Sequence, residues 1–294
     1  MLFAAIDIGS NAARLLFANA YDKNGNVKLD KASLIRIPTR LGEDVYKSNS
    51  ISKEKTNDFL KTMKAFKLLI DVYQPQSYLA CATSAMREAA NSAEILKKIK
   101  KDIGLKIKII DGKEEAEIIR NTNRVILPTI KPYTLFMDVG GGSTELSIEK
   151  GGVLLKQKSF KVGTLRILGG KVKPNVWNNI EHWLSEYKSD FHKFHIVGTG
   201  GNINRLCKLF GNNEIKELNI ENLEFGYQQL KSMDMNDRIL QYGFRPDRAD
   251  VIVPAASIYL FVMNNMDAKT IFVPRKGLSD GLILKQYREW KTKQ

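Results

Sequence analysis

The sequence predicts an α/β protein of two similar lobes, each a mixed sheet with flanking helices. Three observations predict it: a glycine-centred segment that occurs twice, β-type residues on both sides of each copy, and a shared order of elements after each. The segment AIDIGSNAARLLF, from Ala5, aligns with FMDVGGGSTELSI, from Phe136. Asp7 falls on Asp138, Gly9 on Gly140 and Leu15 on Leu146, an offset of 131 residues (138 − 7), close to half of the 294-residue chain. Each copy reads as strand, tight turn, strand, because β-type residues precede the glycines and alternating ones follow them.

The elements after each copy run in parallel. In the first half a third strand, Ser33–Ile37, precedes a helix that begins near Ser52. Its apolar residues Phe59, Leu60, Met63, Phe66 and Leu69 recur at helical spacing. Strand Tyr78–Ala82, a helix from about Asn91 and strand Ile107–Ile110 follow. In the second half Gly151-Gly152 turns into strand Val153–Phe160, then a helix from about Pro174 and strand Phe194–Val197. The order βββαβα is therefore expected twice. Hairpins feeding parallel crossovers make a mixed sheet covered by helices. The join is expected in a helix from Glu114 to about Val125, and a final helix, Leu278–Trp290, is expected to pack back on the first lobe. The domains so expected are 1–120 with 278–294, and 121–277.

Composition narrows the function classes. The chain carries 46 Lys and Arg against 32 Asp and Glu, a formal charge of +14. That excess suits polyanionic partners without choosing among them, and a solvated basic surface explains it as well. The densest patch is Lys97, Lys98, Lys100, Lys101, Lys106 and Lys108. Only two cysteines occur, Cys81 and Cys207, with no metal-ligand spacing, which excludes a disulfide scaffold and a zinc site and fits the cytosol. The N-terminus lacks a basic leader and is interrupted by Asp7 and Arg14, so it does not read as a signal peptide. The longest apolar stretch, Val251–Met263, is too short to span a bilayer and contains Pro254. His192 and His195 read as surface or core residues, not as ligands.

Three glycine clusters carry the chemistry. The first, Asp7-Ile8-Gly9-Ser10-Asn11, has residues that permit positive φ and close backbone approach, so that successive N–H groups could make an anion nest. Taken alone it reads as an ordinary hairpin turn. The second, Asp138-Val139-Gly140-Gly141-Gly142-Ser143-Thr144-Glu145, is the strongest signal, because three consecutive glycines are costly to order. Its Ser143 and Thr144 hydroxyls could donate to phosphate oxygens. Asp138 and Glu145 flank the nest, an unfavourable arrangement beside a polyanion unless a cation such as Mg²⁺ intervenes. The third, Gly198-Thr199-Gly200-Gly201-Asn202, turns from strand into helix, where N–H groups and the helix dipole coincide. A Walker lysine and a G-x-G-x-x-G in βαβ context are missing, which disfavours P-loop and Rossmann readings. Arg87 could grip a phosphate or be a surface arginine. Glu114 and Glu115 open a helix, where acidic residues usually complement the dipole.

With these motifs assembled, the chain resembles the exopolyphosphatase / guanosine pentaphosphate phosphohydrolase family of the actin-like ATPase superfamily over nearly its whole length. Asp7–Leu15 looks like the family's first phosphate loop, Ala82–Ala89 like its arginine motif, Gly112–Ala116 like its catalytic-glutamate motif and Asp138–Leu146 like its second phosphate loop. Gly163–Arg166, Gly198–Gly201, Arg248–Asp250 and Gly277–Gly281 also fit. The resemblance implies two ribonuclease-H-like (actin-like ATPase) lobes around a central cleft. It implies Glu115 and Arg87 as catalytic residues, and Gly9, Ser10, Asn11, Arg14, Thr83, Ser84, Arg87, Gly140, Gly141, Gly142, Ser143, Thr144, Gly198, Gly200 and Gly201 as phosphate-binding. It implies Asp138, Glu145 and Asp7 as Mg²⁺ residues. Two departures stand out. Ala12 follows Asn11 where the family usually has Ser or Thr, and the chain ends without the helical C-terminal region of longer relatives.

The expected activity is release of terminal orthophosphate from inorganic polyphosphate, guanosine pentaphosphate or both, by Mg²⁺-assisted in-line attack of water. A kinase or ATPase of the same superfamily and a non-hydrolysing nucleotide- or alarmone-binding regulator are the alternatives. No membrane partner and no nucleic-acid partner is expected, since no helix-turn-helix, RRM-like or OB-like signature occurs. A homodimer is compatible with the sequence, and the cytoplasm is the expected location.

Overall fold

The structure, a computed structural model, describes residues 1–24, 26–123 and 132–293. The chain divides into two compact units, Met1–Thr122 with Lys276–Gln294, and Asn123–Arg275.

Unit 1 is built on strands β1 (Leu2–Ile8), β2 (Ala13–Lys23), β3 (Asn26–Ile37), β4 (Tyr78–Ala82) and β5 (Lys108–Ile109), in sheet order β3-β2-β1-β4-β5. The hairpin strands β1, β2 and β3 pair antiparallel, and β4 and β5 add parallel to them. β3 begins seven residues earlier than the expected strand Ser33–Ile37, because β2 continues past the register shift at Phe17/Ala18 and supplies a partner down to Lys23↔Asn26. The helices are α1 (Leu41–Ser48), α2 (Lys53–Tyr73), α3 (Ser84–Glu88), α4 (Ser92–Ile103), α5 (Gly112–Asn123) and α13 (Leu278–Lys291), the last numbered in chain order.

The local causes are legible. The Ser52 side chain accepts from the Lys55 amide and starts α2, which buries the seam Phe59, Met63, Phe66 and Ile70. Leu60 and Leu69 flank that seam half-buried. Asn91 precedes α4, but its carboxamide bonds Ile51 at both backbone atoms (3.0 and 2.8 Å) instead of capping. α5 ends at Asn123 among the described residues, and the expected continuation to Val125 lies outside them. Helix α13 packs on β1 through Leu278, Leu282, Ile283 and Tyr287, and Gln286 donates to the Ala4 carbonyl at 2.8 Å.

Unit 2 repeats the plan with β6 (Tyr133–Val139), β7 (Thr144–Lys150), β8 (Val153–Phe160), β9 (Phe194–Thr199), β10 (Glu217–Asn219) and β11 (Thr270–Phe272), in order β10-β11-β9-β6-β7-β8. β6, β7 and β8 are antiparallel, and β9 and β11 run parallel to β6. The register shifts repeat as well: the one opposite Phe17/Ala18 of β2 corresponds at the 131-residue offset to the one opposite Ile148/Glu149 of β7. Its helices are α6 (Thr164–Leu168), α7 (Asn175–Ser185), α8 (Gly201–Phe210), α9 (Ile220–Ser232), α10 (Met235–Tyr242), α11 (Pro246–Ala249) and α12 (Ile252–Asn265), with a 3₁₀ turn over Lys188–Lys193. The apolar stretch Val251–Met263 is α12, whose Ala255, Ala256, Ile258, Tyr259, Val262 and Met263 are fully buried. Pro254 lies in its first turn, where a missing amide is tolerated. Among the described residues no helix is long and apolar enough to cross a membrane.

Candidate active site

In unit 2 the turn between β6 and β7 is Gly140–Ser143, closed by the Gly140 amide on the Ser143 carbonyl at 2.9 Å. Its carbonyls are held from behind by a segment that sequence reasoning assigned no role. The Thr164 amide donates to the Gly140 carbonyl (3.0 Å), the Leu165 amide to that of Gly141 (2.8 Å) and the Arg166 guanidinium to that of Gly142 (2.6 Å). With three successive carbonyls turned toward α6, the turn is fixed as a rigid main-chain element. None of Gly9, Gly140, Gly141 and Gly142 is among the residues at positive φ, and a Cβ on Gly140 would lie 3.1 Å from the Ser143 carbonyl. The positive φ that glycine permits is therefore not used in these two turns. The tightest point is Gly163, where a Cβ would lie 2.6 Å from the Gly141 carbonyl carbon and the Gly142 nitrogen.

Asp138 and Glu145 are directly opposite on β6 and β7. Like charges so placed repel. Asp138 is half-buried and accepts from the Thr199 hydroxyl at 2.5 Å, while buried Glu145 accepts from Ser159 at 2.8 Å. Thr199 is the parallel-strand partner of Asp138, and its carbonyl accepts from the buried Tyr259 hydroxyl at 2.5 Å. Burial, then the nearby Asp138 charge, push the Tyr259 phenol well above its ordinary range, so it stays a donor. Gly200 follows at φ +109°, and a Cβ there would press on the Val139 carbonyl at 3.2 Å. It opens α8, whose first residue is Gly201. Two carboxylates paired across strands and oriented by hydroxyls suit a hard cation with oxygen ligands.

Two residues expected at the phosphate face inward instead. Thr144 is fully buried and its hydroxyl donates to the Val162 carbonyl at 2.7 Å, because alternation places it with Leu146 and Ile148 on the core side. Gly198 is a packing glycine, since a Cβ would meet Ile271 at 2.6 Å. Ser143 is buried at the turn's end.

In unit 1 the turn Gly9–Ala12 has the same closure, Gly9 amide to Ala12 carbonyl at 3.0 Å. Here the Ser10 and Asn11 carbonyls are held by the amides of Gly42 (2.9 Å) and Arg40 (3.0 Å). Arg40 has a left-handed backbone, φ 46°, a cost of about 1–3 kcal/mol for a non-glycine residue. The Ser10 hydroxyl bonds Tyr46 at 2.6 Å, and Tyr46 in turn bonds Ser84 at 3.1 Å. Thr83, buried, ties β4 to β1 through its amide on the Ile8 carbonyl at 3.0 Å. Asp7 is paired with Arg14 at 2.7 Å and accepts weakly from Ser279 at 3.5 Å. The cation beside Asp7 is therefore a side chain of its own hairpin.

The arginine and glutamate motifs meet within unit 1. Arg87 donates to the Ile110 carbonyl at 2.6 Å, and its guanidinium lies 3.8 Å from Glu115, which is buried. Asp111 accepts the Lys113 and Glu114 amides (2.9 and 2.8 Å) and caps α5. Those bonds, the Glu114 amide foremost, hold its carboxyl below the usual range. The adjacent glutamates part company: Glu114 is taken by Lys108 at 2.6 and 2.8 Å, and Glu115 turns to Arg87.

A family model described as the Ppx/GppA phosphatase family matches residues 23–289. The chain is 28% identical to a bifunctional 3-dehydroquinate synthase/phosphatase of Fusobacterium nucleatum, over 96% of this chain and 46% of that protein, so it spans about half of that relative's length. It is 25% identical to exopolyphosphatase 1 of Mycobacterium leprae, over 97% of this chain and 89% of that one. The solved structure of the Aquifex aeolicus Ppx-GppA enzyme superposes with a TM-score of 0.76 at 25% identity, over 97% of this chain and 99% of that one. With the match running through both units, the chain belongs to the Ppx/GppA phosphatase family.

Proposed function

We propose that the protein is a Mg²⁺-dependent phosphohydrolase that releases terminal orthophosphate from inorganic polyphosphate, guanosine pentaphosphate or both. The observation that carries the reading is the Asp138–Glu145 pair beside a glycine turn whose carbonyls are all tied back. In this reading Asp138 and Glu145 hold the metal, oriented by Thr199 and Ser159. Bound Mg²⁺ neutralises charge on the phosphoryl oxygens. The main chain of Gly140–Ser143 and the amide end of α8 at Gly200–Gly201 bind phosphate oxygens. In unit 1 the turn Gly9–Ala12 is a second phosphate loop, with Ser10 and Ser84 aligned through Tyr46.

Glu115 takes the proton of the attacking water. Its burial limits competing hydration, and Arg87, fixed by the Ile110 carbonyl, orients it and contacts the phosphoryl group. A placed base contributes about 10²–10⁴-fold. The test is orthophosphate release from long polyphosphate, short polyphosphate and guanosine pentaphosphate, with and without Mg²⁺. Glu115→Gln is expected to lower kcat by about 10²–10⁴-fold with an unchanged Tm. ATP turnover exceeding release from every one of these substrates would overturn the reading.

A further inference from the structure

Unit 1 contains a cavity of about 530 Å³ that shares no residue with the Gly9–Ala12 turn, Arg87 or Glu115. Its size is within the range of small-molecule sites, about 300–1,000 Å³. The floor is aliphatic: half-buried Leu79, Ile107 and Ile118 with buried Leu282, drawn from β4, the entry to β5, α5 and α13. Cys81 completes it. Burial, followed by the Glu114 and Asp7 charges, raises that thiol to about 11, so the floor is uncharged at neutral pH.

The rim has the opposite character. Three lysines, Lys106, Lys108 and Lys285, face a single carboxylate, Glu114. Lys108 is bound to Glu114 through both oxygens. Lys106 and Lys285 are exposed and make no ion pair among the described residues. The Lys106 amide is anchored on the Tyr78 hydroxyl at 3.3 Å, which fixes the segment that carries the lysine. An apolar floor under two uncommitted ammonium groups calls for a ligand with both characters. A bare inorganic anion leaves the floor wet, and a neutral apolar molecule leaves the lysines unused.

We propose that this cavity binds a small organic phosphate of the nucleoside monophosphate type, its body on the aliphatic floor and its anionic group between Lys106 and Lys285. Lysine suits the anionic end because its ammonium is a point charge on a flexible stem. Glu114 competes for Lys108 and so weakens the site.

The test is calorimetric titration of the full chain with adenosine 5′-monophosphate, adenosine and orthophosphate at low ionic strength. The monophosphate is expected to bind at least about tenfold more tightly than either of the others. Lys106→Glu with Lys285→Glu should weaken it by about tenfold or more, the worth of a charge-assisted contact. Glu114→Gln should tighten it several-fold. Thermal unfolding checks that the variants fold, and the Lys106→Gln/Lys285→Gln pair serves if charge reversal lowers Tm. Monophosphate affinity unchanged in the double variant would place binding elsewhere and overturn the proposal. Orthophosphate binding as tightly as the monophosphate would overturn it too, as would no monophosphate binding at millimolar concentration.

Discussion

Asp7 and Asp138 occupy the same place in two copies of one supersecondary unit, yet the residue across the hairpin from each differs in sign. Arg14 faces Asp7 at 2.7 Å, whereas Glu145 faces Asp138. The parallel neighbour differs as well: Cys81 lies beside Asp7, and Thr199 lies beside Asp138 and donates to it. The first hairpin thus carries its own counter-ion, and the second concentrates negative charge that an added cation would relieve. One fold element, copied, has been set to two electrostatic states by single residues. The proposed Mg²⁺ site therefore belongs to the second copy.

The sharpest way to break this contrast is to neutralise each position in turn. Glu145→Gln is expected to lower Mg²⁺-dependent phosphate release by about 10²–10⁴-fold, since metal stabilisation of a phosphoryl group is worth several kcal/mol. In the same variant Mg²⁺ should no longer raise Tm. Arg14→Gln should keep the Mg²⁺-induced rise. The reverse pattern would show that the metal belongs with Asp7.

Next in size is a contrast in packing. Gly163→Ala would drive a methyl to 2.6 Å from the Gly141–Gly142 backbone, a contact that only displacement of the turn relieves. A loss of about 1–3 kcal/mol by denaturant unfolding is expected. Gly9→Ala meets only the Ala12 carbonyl at 3.4 Å, at a φ open to alanine, and should cost less than about 1 kcal/mol. Equal losses would mean that the two turns are supported alike.

A smaller effect tests the support of Asp138 through Thr199. Tyr259→Phe removes the donor to the Thr199 carbonyl and should cost about 1–1.5 kcal/mol. The folded phenol titrates well above its unfolded value of about 10, so its contribution is complete below that pH and is lost as pH rises beyond it. The variant should lose less stability than the parent on going from pH 9 to 11, measured by chemical denaturation. Parallel curves would show that Tyr259 is not the titrating group.

Much of the plan was legible because its signals are local. Strands Tyr78–Ala82 and Val153–Phe160 have the bounds expected from the sequence, and Ser52 starts α2 by capping chemistry that the residue type announces. Other features depend on contacts distant in sequence. Nothing in Gly163–Arg166 itself says that its donors will hold the carbonyls of residues 140–142. Glycine identity permits positive φ and close approach alike, and does not say which of the two a turn uses. Helix α12 is buried on nearly every face, so it has no apolar stripe and read only as an apolar run. Thr144 was a different case, since its alternation with Leu146 and Ile148 already marked it as inward-facing. The aligned aspartates were visible, but the opposite signs across from them acquire meaning only with the register.

The last and smallest difference between the copies is one hydroxyl. Ala12 ends the first turn where Ser143 ends the second, at the same 131-residue offset, and each carbonyl accepts from the glycine that opens its turn. Backbone geometry at the two positions is therefore shared, and Ala12→Ser should add a hydroxyl without disturbing the turn. If the first turn contacts phosphate, that hydroxyl adds one neutral hydrogen bond, about 0.5–1.5 kcal/mol, and KM should fall about 2–10-fold with Tm unchanged. Ala12 is buried, so a serine that pointed inward without a partner would lower Tm by the cost of an unmet hydroxyl and leave KM alone. Measuring both quantities on one variant separates these outcomes. A Tm loss with constant KM would confine phosphate contact in unit 1 to main-chain groups.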